Sequence, residues 1–213
     1  WTDNAVHAME FVGPPFIFNF RQLGSNCGIA GQHAAIELDG RIFWMGAKDF
    51  FVYDGAVKNL PCTVRRYVFD DFNYDQKEKV YAGTNQEFRE VTWLYPSKNS
   101  TEVDRYVSYN PVENYWTFGT TIFTTWEDKE VFQNVITTGQ EADGDNYLYT
   151  NEPEGIYTAD GQRQEAFLES SEFDTSPPSY GPGDSIMYLD RIVPDFTIND
   201  GGRVTLNMKL KNF

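Results

Sequence analysis

The chain has little of what most chemistry depends on. Of its 213 residues only Cys27 and Cys62 are cysteine, and only His7 and His33 are histidine. The cysteines form neither a CxxC pair nor a metal-ligand spacing, so no disulfide framework is indicated and two buried free thiols are expected. Nucleophilic catalysis of the Ser/His/Asp or Cys/His kind needs an imidazole oriented by a carboxylate. His33 lies six residues beyond Cys27 in a glycine-rich stretch, which is too little to define a dyad, and a structural or exposed histidine is the plainer reading. Positive charge is scarce as well: 17 Lys plus Arg against 32 Asp plus Glu leave a net charge of −15. That is the wrong sign for gripping nucleic acid, which requires Lys and Arg to displace condensed cations. It suits solubility, a basic partner, or a channel wall to which DNA does not stick. No apolar run approaches the roughly 20 residues of a membrane helix, so no membrane insertion is expected. Trp1 stands where Met would begin a chain, and no charged segment leads into an apolar run there. No signal peptide is therefore expected, and a cut or processed N-terminus is.

What the chain does have is aromatic surface: 17 Phe, 13 Tyr and 5 Trp, side chains that favour pleated, half-buried positions. Their spacing predicts an all-β protein of antiparallel meander sheets. Residues 1–33, broken by Gly13-Pro14-Pro15, read as an irregular segment with one short strand at 16–20. Gly28-Ile29-Ala30-Gly31 lacks the Lys-Ser/Thr ending of a phosphate loop and is read as a turn. From residue 34 the pattern sharpens into Ala35–Leu38, the turn Asp39-Gly40, Arg41–Gly46, and Phe50–Tyr53 closed by Asp54-Gly55. Asp-Gly between strand-like runs is among the strongest hairpin signals, because a type I′ turn needs positive φ at both central residues.

One convincing helix is predicted over 63–72, with Val64, Tyr67, Val68 and Phe72 on one stripe and Thr63 as its N-cap. A weaker helical turn spans 75–80. Strands then follow at 89–95, 104–109, 115–118, 121–126, 131–137, 146–150, 155–158, 186–194 and 203–210, with a Pro/Gly-rich loop at 176–183 between the later ones. Tyr53, Tyr109 and Tyr157 each close a strand before a turn, 56 and 48 residues apart, near the ~40–50 residues of a four-stranded propeller blade. The organisation expected is an irregular 1–33 and a propeller-like 34–213 of three or four blade-like units. Closed propellers need about 4 to 8 blades, so this one is expected to be incomplete.

Candidate sites are few. Asp143-Gly144-Asp145-Asn146 begins like a calcium loop, but Tyr147 and Leu148 stand where an oxygen ligand and a glycine belong, and an acidic hairpin turn is expected. Glu127, Asp128, Glu169, Glu172 and Asp174 are available as paired carboxylates for glycoside hydrolysis, and exposed Trp would suit sugar rings. Most acidic residues must nonetheless be solvated surface. Asn99-Ser100-Thr101 is read as a chance sequon. The residues thus nominate no catalytic, cofactor-binding or metal-binding position.

The first half of the chain carries Gly40-Arg41-Ile42-Phe43-Trp44-Met45-Gly46, Phe51-Val52-Tyr53-Asp54-Gly55, Leu60-Pro61-Cys62-Thr63-Val64-Arg65, Phe72-Asn73, and Ala82-Gly83-Thr84-Asn85. Further along are Glu90-Val91-Thr92-Trp93-Leu94-Tyr95-Pro96-Ser97, Asp104-Arg105-Tyr106-Val107, Glu169-Ser170-Ser171-Glu172-Phe173-Asp174, and Arg191-Ile192-Val193-Pro194-Asp195. These motifs resemble those of phage virion proteins that act below the portal as tail-nozzle or packaged-DNA-stabilisation components. The resemblance spans residues 34–213 and implies a non-enzymatic, propeller-containing virion subunit without cofactor. It implies a homo-oligomeric ring, expected to be a hexamer, stacked against portal or adaptor and distal tail proteins. Through that ring the genome would pass without specific binding, helped to stay inside until ejection. A carbohydrate-binding or glycoside-cleaving propeller, such as a receptor-binding tail component, is the alternative. Aromatics and two carboxylates lining a cleft would favour the alternative; aromatics held in the core would favour the subunit.

Overall fold

The Asp39-Gly40 signal is realised as a two-residue turn in which Asp39 (φ 52°) and Gly40 (φ 73°) both adopt the left-handed backbone that a type I′ hairpin demands. The computed structural model describes residues 1–129, 132–141, 144–151, 153, 158–159, 162–163, 188–193 and 203–209. In it this turn joins a strand at Ala35–Leu38 to one at Arg41–Met45, and two more hairpins add Phe50–Tyr53 and Val57–Leu60. With an N-terminal pair at Ala5–Phe11 (β1) and Phe18–Ser25 (β2), these four are β3 to β6, and they form one antiparallel sheet in sequence order.

The second sheet repeats that plan with β7 (Tyr81–Asn85), β8 (Glu90–Tyr95), β9 (Arg105–Asn110) and β10 (Tyr115–Thr120). Two of its loops share one device. Asn85 Oδ1 accepts from the amides of Glu87 and Phe88, and Asn110 Oδ1 accepts from those of Val112 and Glu113. Each loop then closes through a left-handed residue, Arg89 (φ 53°) or Asn114 (φ 55°). A third sheet contains β11 (Phe123–Glu127), β12 (Ile136–Gln140) and β13 (Asn146–Thr150). The protein is therefore mostly β, with antiparallel sheets, as the alternation of its aromatic residues implies. Among the described residues no sheet closes on itself.

Between the first two sheets the chain forms α1 (Arg65–Asp71) and a 3-10 segment at Tyr74–Lys79. The helix is shorter than the predicted 63–72. Thr63 does not cap it: the N-cap position is Val64, with no side-chain cap bond. Only Val68 and Phe69 are buried on the helix, while Tyr67 stays exposed and packs against Phe118 at 4.2 Å between ring centroids.

Residues 1–33 are more regular than predicted. The pairs Phe11–Phe18, Met9–Phe20 and His7–Gln22 make β1 and β2 a two-stranded ribbon. Its sequence alternation is masked because apolar residues cluster around the turn on both faces. The strand predicted from residue 131 begins at Ile136. Residues 188–193 and 203–209 carry no regular secondary structure, so the described parts of the strands predicted at 186–194 and 203–210 are not strands. A strand-like pattern needs a partner whose backbone groups it can pair with, and period alone does not supply one.

Two compact units divide the chain, Trp1–Thr158 and Ala159–Phe213. Short strands β14 (Thr158–Ala159) and β15 (Gln162–Arg163) pair with each other. Tyr157, Asp160-Gly161 and the loop at 176–183 lie outside the described residues.

The core of the first unit lies between the first two sheets. Phe43, Met45, Phe50 and Val52 of the first meet Val91, Trp93, Tyr95 and Val107 of the second, joined by Val68, Phe69 and Phe72. Phe50 sits 4.8 Å from Trp93 and 4.9 Å from Trp116 between ring centroids. The indole N–H groups are satisfied across the same boundary, Trp93 donating to Ala34 O (3.1 Å) and Trp116 to Pro61 O (3.0 Å), as burial of a polar atom requires. The opposite face of the first sheet buries Trp44 and Phe51 against Val6 and Cys27 at the base of the ribbon.

Candidate functional site

The first strands of the three sheets are neighbours, β3 beside β7 and β7 beside β11. The junction of β3 and β7 is a backbone contact: Ala82 N donates to His33 O (2.7 Å), and His33 pairs in parallel with Tyr81. Their rings stack at 5.1 Å. At the second junction Trp126 on β11 lies over Gly83 on β7, where an added Cβ would fall 2.1 Å from the indole. The indole donates to Thr84 O (2.8 Å), and the Thr84 hydroxyl donates to Asp128 Oδ2 (2.5 Å). Lys129 and Glu87 add an ion pair at 2.6 Å. A glycine within a strand permits this approach because nothing projects from its backbone.

An open cleft of about 290 Å³ follows this seam, lined in part by His33, Lys79, Tyr81, Glu102, Thr124 and Thr125. Lys79 donates to Glu102 Oε1 (2.5 Å) and Thr101 O (2.6 Å). His33 shares its Nε2 with the Gln32 amide at 3.1 Å. The cleft offers hydrogen-bonding and stacking groups, with its lysine already engaged by a carboxylate.

No protein-family model matches this chain. No curated protein matches it either.

The residues nominated from sequence are dispersed. Cys27 is buried with Val6, Trp44 and Phe51, whereas His33 is exposed on the seam. Cys62 is only half buried, and burial next to Asp49 pushes its thiol up to about 11, away from the thiolate that a nucleophile needs. The Gly28–Gly31 turn has little backbone left for an anion, since Ile29 N donates to Thr2 O and Ala30 N to Met45 O. Glu127 is exposed, and Asp128 is occupied by Thr84 and by the Lys129 amide (2.7 Å). Glu169, Glu172 and Asp174 lie outside the described residues, as does Asp143. The rest of that acidic loop is a hairpin turn, with Gln140 paired to Asn146 and Gly144 at φ 91°. Among the described residues no group of three or more His, Cys, Asp or Glu is placed to hold a metal.

The tryptophans are mostly structural. Trp44 and Trp93 are fully buried, Trp116 and Trp126 pack between sheets, and Trp1 stacks edge-on against Trp44 at 5.9 Å. Charge follows the same pattern. Among the described residues nine ion pairs, two of them made by Arg105, engage eight of the basic side chains. Arg105 donates to Asp104 (3.0 Å) and lies 3.6 Å from Asp71, while Asp104 accepts from both the amide and hydroxyl of Ser97 (2.7 Å each). This network surrounds Tyr95, whose buried hydroxyl has no hydrogen-bond partner. Burial first, then neighbouring Tyr67 and Asp71, raise its pKa well above the ordinary tyrosine range. Sequence patterns revealed neither the Gly83–Trp126 seat nor this network. The one available signal was an isolated glycine within a strand-like run, Ala82-Gly83-Thr84-Asn85.

Proposed function

We propose that this chain is a structural subunit of a tailed-phage virion, a tail-nozzle or head–tail connector component built on β-propeller-type sheets. It assembles as a homo-oligomeric ring through which the genome passes. The observation that carries this reading is the meeting of three successive meander sheets along their first strands. Propeller blades are arranged in that way around their axis, and three are fewer than the roughly 4 to 8 that close a propeller. Such an open set leaves sheet faces to be covered by further polypeptide.

The aromatic residues support the subunit over a sugar-binding or sugar-cleaving propeller, because four of the five tryptophans are committed to packing instead of lining a cleft. The charge supports a conduit over a DNA-gripping protein. With −15 overall, and with eight of its 17 lysines and arginines paired with carboxylates among the described residues, the chain has no surplus of cations to replace those condensed on DNA. DNA then slides past a wall that repels phosphate at close range, and retention comes from a physical constriction.

Negative-stain imaging of the purified protein, combined with a DNA mobility assay at physiological salt, tests the reading. The expected result is a ring with a central bore and no DNA retardation. Monomeric particles that bind a glycan panel would overturn it in favour of the carbohydrate reading.

A further inference from the structure

The ribbon formed by β1 and β2 has two unlike faces. Paired residues of an antiparallel ladder share a face, so Met9, Phe11, Phe18 and Phe20 lie together on one side. Phe11 and Phe18 meet edge to face at 5.9 Å. The other side carries Glu10 opposite Asn19 and Ala8 opposite Arg21, with Arg21 and Glu10 3.5 Å apart. Only the base, at Val6, is buried. Towards the turn the exposures are Met9 60%, Phe11 72%, Phe16 75%, Phe18 50% and Phe20 67%, with Val12 and Ile17 also more than half exposed. A fully presented aromatic ring offers on the order of 150–250 Å². The four side chains that share the face, Met9, Phe11, Phe18 and Phe20, therefore show roughly 500 Å², in the range of the largest patch on an ordinary monomer, and two such faces laid together bury about the 1,000 Å² that a specific interface requires.

We infer that this ribbon is a docking arm that lays its apolar face on a second copy of the same chain. Charge selects that occupant. Two bodies of −15 repel each other as they approach, yet between Ala5 and Ser25 the only charged residues are Glu10 and Arg21, which cancel. A seven-residue strand reaches about 23 Å, more than two Debye lengths at physiological salt, so the neutral tip can touch a like-charged neighbour while much of the repulsion is screened. A partner of opposite charge would be held by the acidic body and would need no such arm. A lipid bilayer fits less well, since immersing the ribbon would bring the Glu10–Arg21 pair on its second face towards the hydrocarbon. The inference deepens the ring reading by naming a contact, and the contact itself does not depend on the assembly's being a conduit.

The test compares the wild-type chain with Phe11→Ser/Phe18→Ser/Phe20→Ser by light scattering behind size exclusion and by native mass spectrometry at micromolar concentration. Near-ultraviolet circular dichroism of the buried tryptophans checks that the body remains folded. A second variant, Phe16→Cys carrying a benzophenone photo-crosslinker, keeps the ribbon's face intact and reports what its tip touches. Self-association of the wild type, weakened about a hundredfold or more by the triple substitution, with chain-to-chain crosslinks from the tip, is the expected result. A wild type with the mass of one chain, an assembly unaltered by the triple substitution, crosslinks confined to one chain, or a monomer that floats with phosphatidylcholine vesicles would each overturn it. Rings that survive the triple substitution sink the docking arm alone and leave the conduit reading standing. A ribbon-dependent assembly that encloses no bore supports the arm and sinks the conduit.

Discussion

A methyl group placed on Gly83 probes the contact between the second and third sheets. Its position would lie 2.1 Å from Cδ1 and Cγ of Trp126 and 2.7 Å from the Trp126 Cβ. These atoms are close to the tryptophan backbone, so the side chain cannot swing aside and β11 itself must move. Overpacking of this kind costs about 1–3 kcal/mol. Movement of the indole also breaks its bond to Thr84 O, adding about 1 kcal/mol for the lost hydrogen bond. Against this, alanine is favoured over glycine within a strand by roughly 0.5–1 kcal/mol. Gly83→Ala should therefore destabilise the protein by about 1–3.5 kcal/mol. In a Trp126→Ala background the clash and the hydrogen bond are both absent, so the same methyl should stabilise by the backbone term alone, and the effect changes sign. Urea denaturation followed by far-ultraviolet circular dichroism gives all four corners of the cycle. Equal effects in the two backgrounds would show that Trp126 does not rest on Gly83, and the packing of the third sheet described above would be wrong.

Tyr95→Phe removes a buried hydroxyl with no hydrogen-bond partner and should be neutral or stabilising by up to about 1 kcal/mol, since only a desolvation cost disappears; a loss of stability beyond that size in a denaturation experiment would mean the hydroxyl is bonded. Cys62, pushed by burial from 9.0 to about 11, should alkylate slowly at neutral pH and accelerate towards pH 11, and a labelling rate that levels off by pH 9 would contradict its burial. The sign of the linked stability follows from the direction of that shift. A raised folded pKa means that the contribution is complete below pH 9 and is lost as pH rises through about 11, so Cys62→Ala should lessen the decline in stability across that window.

Much of the strand pattern was legible because its causes are local. Asp39-Gly40 specifies a turn through two backbone conformations, and Val91, Trp93 and Tyr95 alternate because one face of β8 meets the core. The Tyr53 and Tyr109 junctions occur at the ends of β5 and β9, the third strands of successive sheets, so their spacing reported a real structural period. Elsewhere the same cues misled. Phe16 to Phe20 looked like an isolated short strand because its partner, β1, lies across a Gly-Pro-Pro turn. The short strands β6 and β7 were hidden because Val57–Leu60 and Tyr81–Asn85 hold too few large apolar residues to show a period.

The residues by themselves determined that this is a β-rich, acidic chain of antiparallel hairpins, since side-chain alternation and turn conformation are properties of a few neighbouring residues. Only the tertiary structure decided which surfaces meet: Trp126 over Gly83, Asp128 beneath a threonine 44 residues earlier, and Phe11, Phe18 and Phe20 left exposed on the ribbon. Burial depends on the shape and charge of distant segments brought together, and a local pattern records that a face is apolar without recording what will cover it.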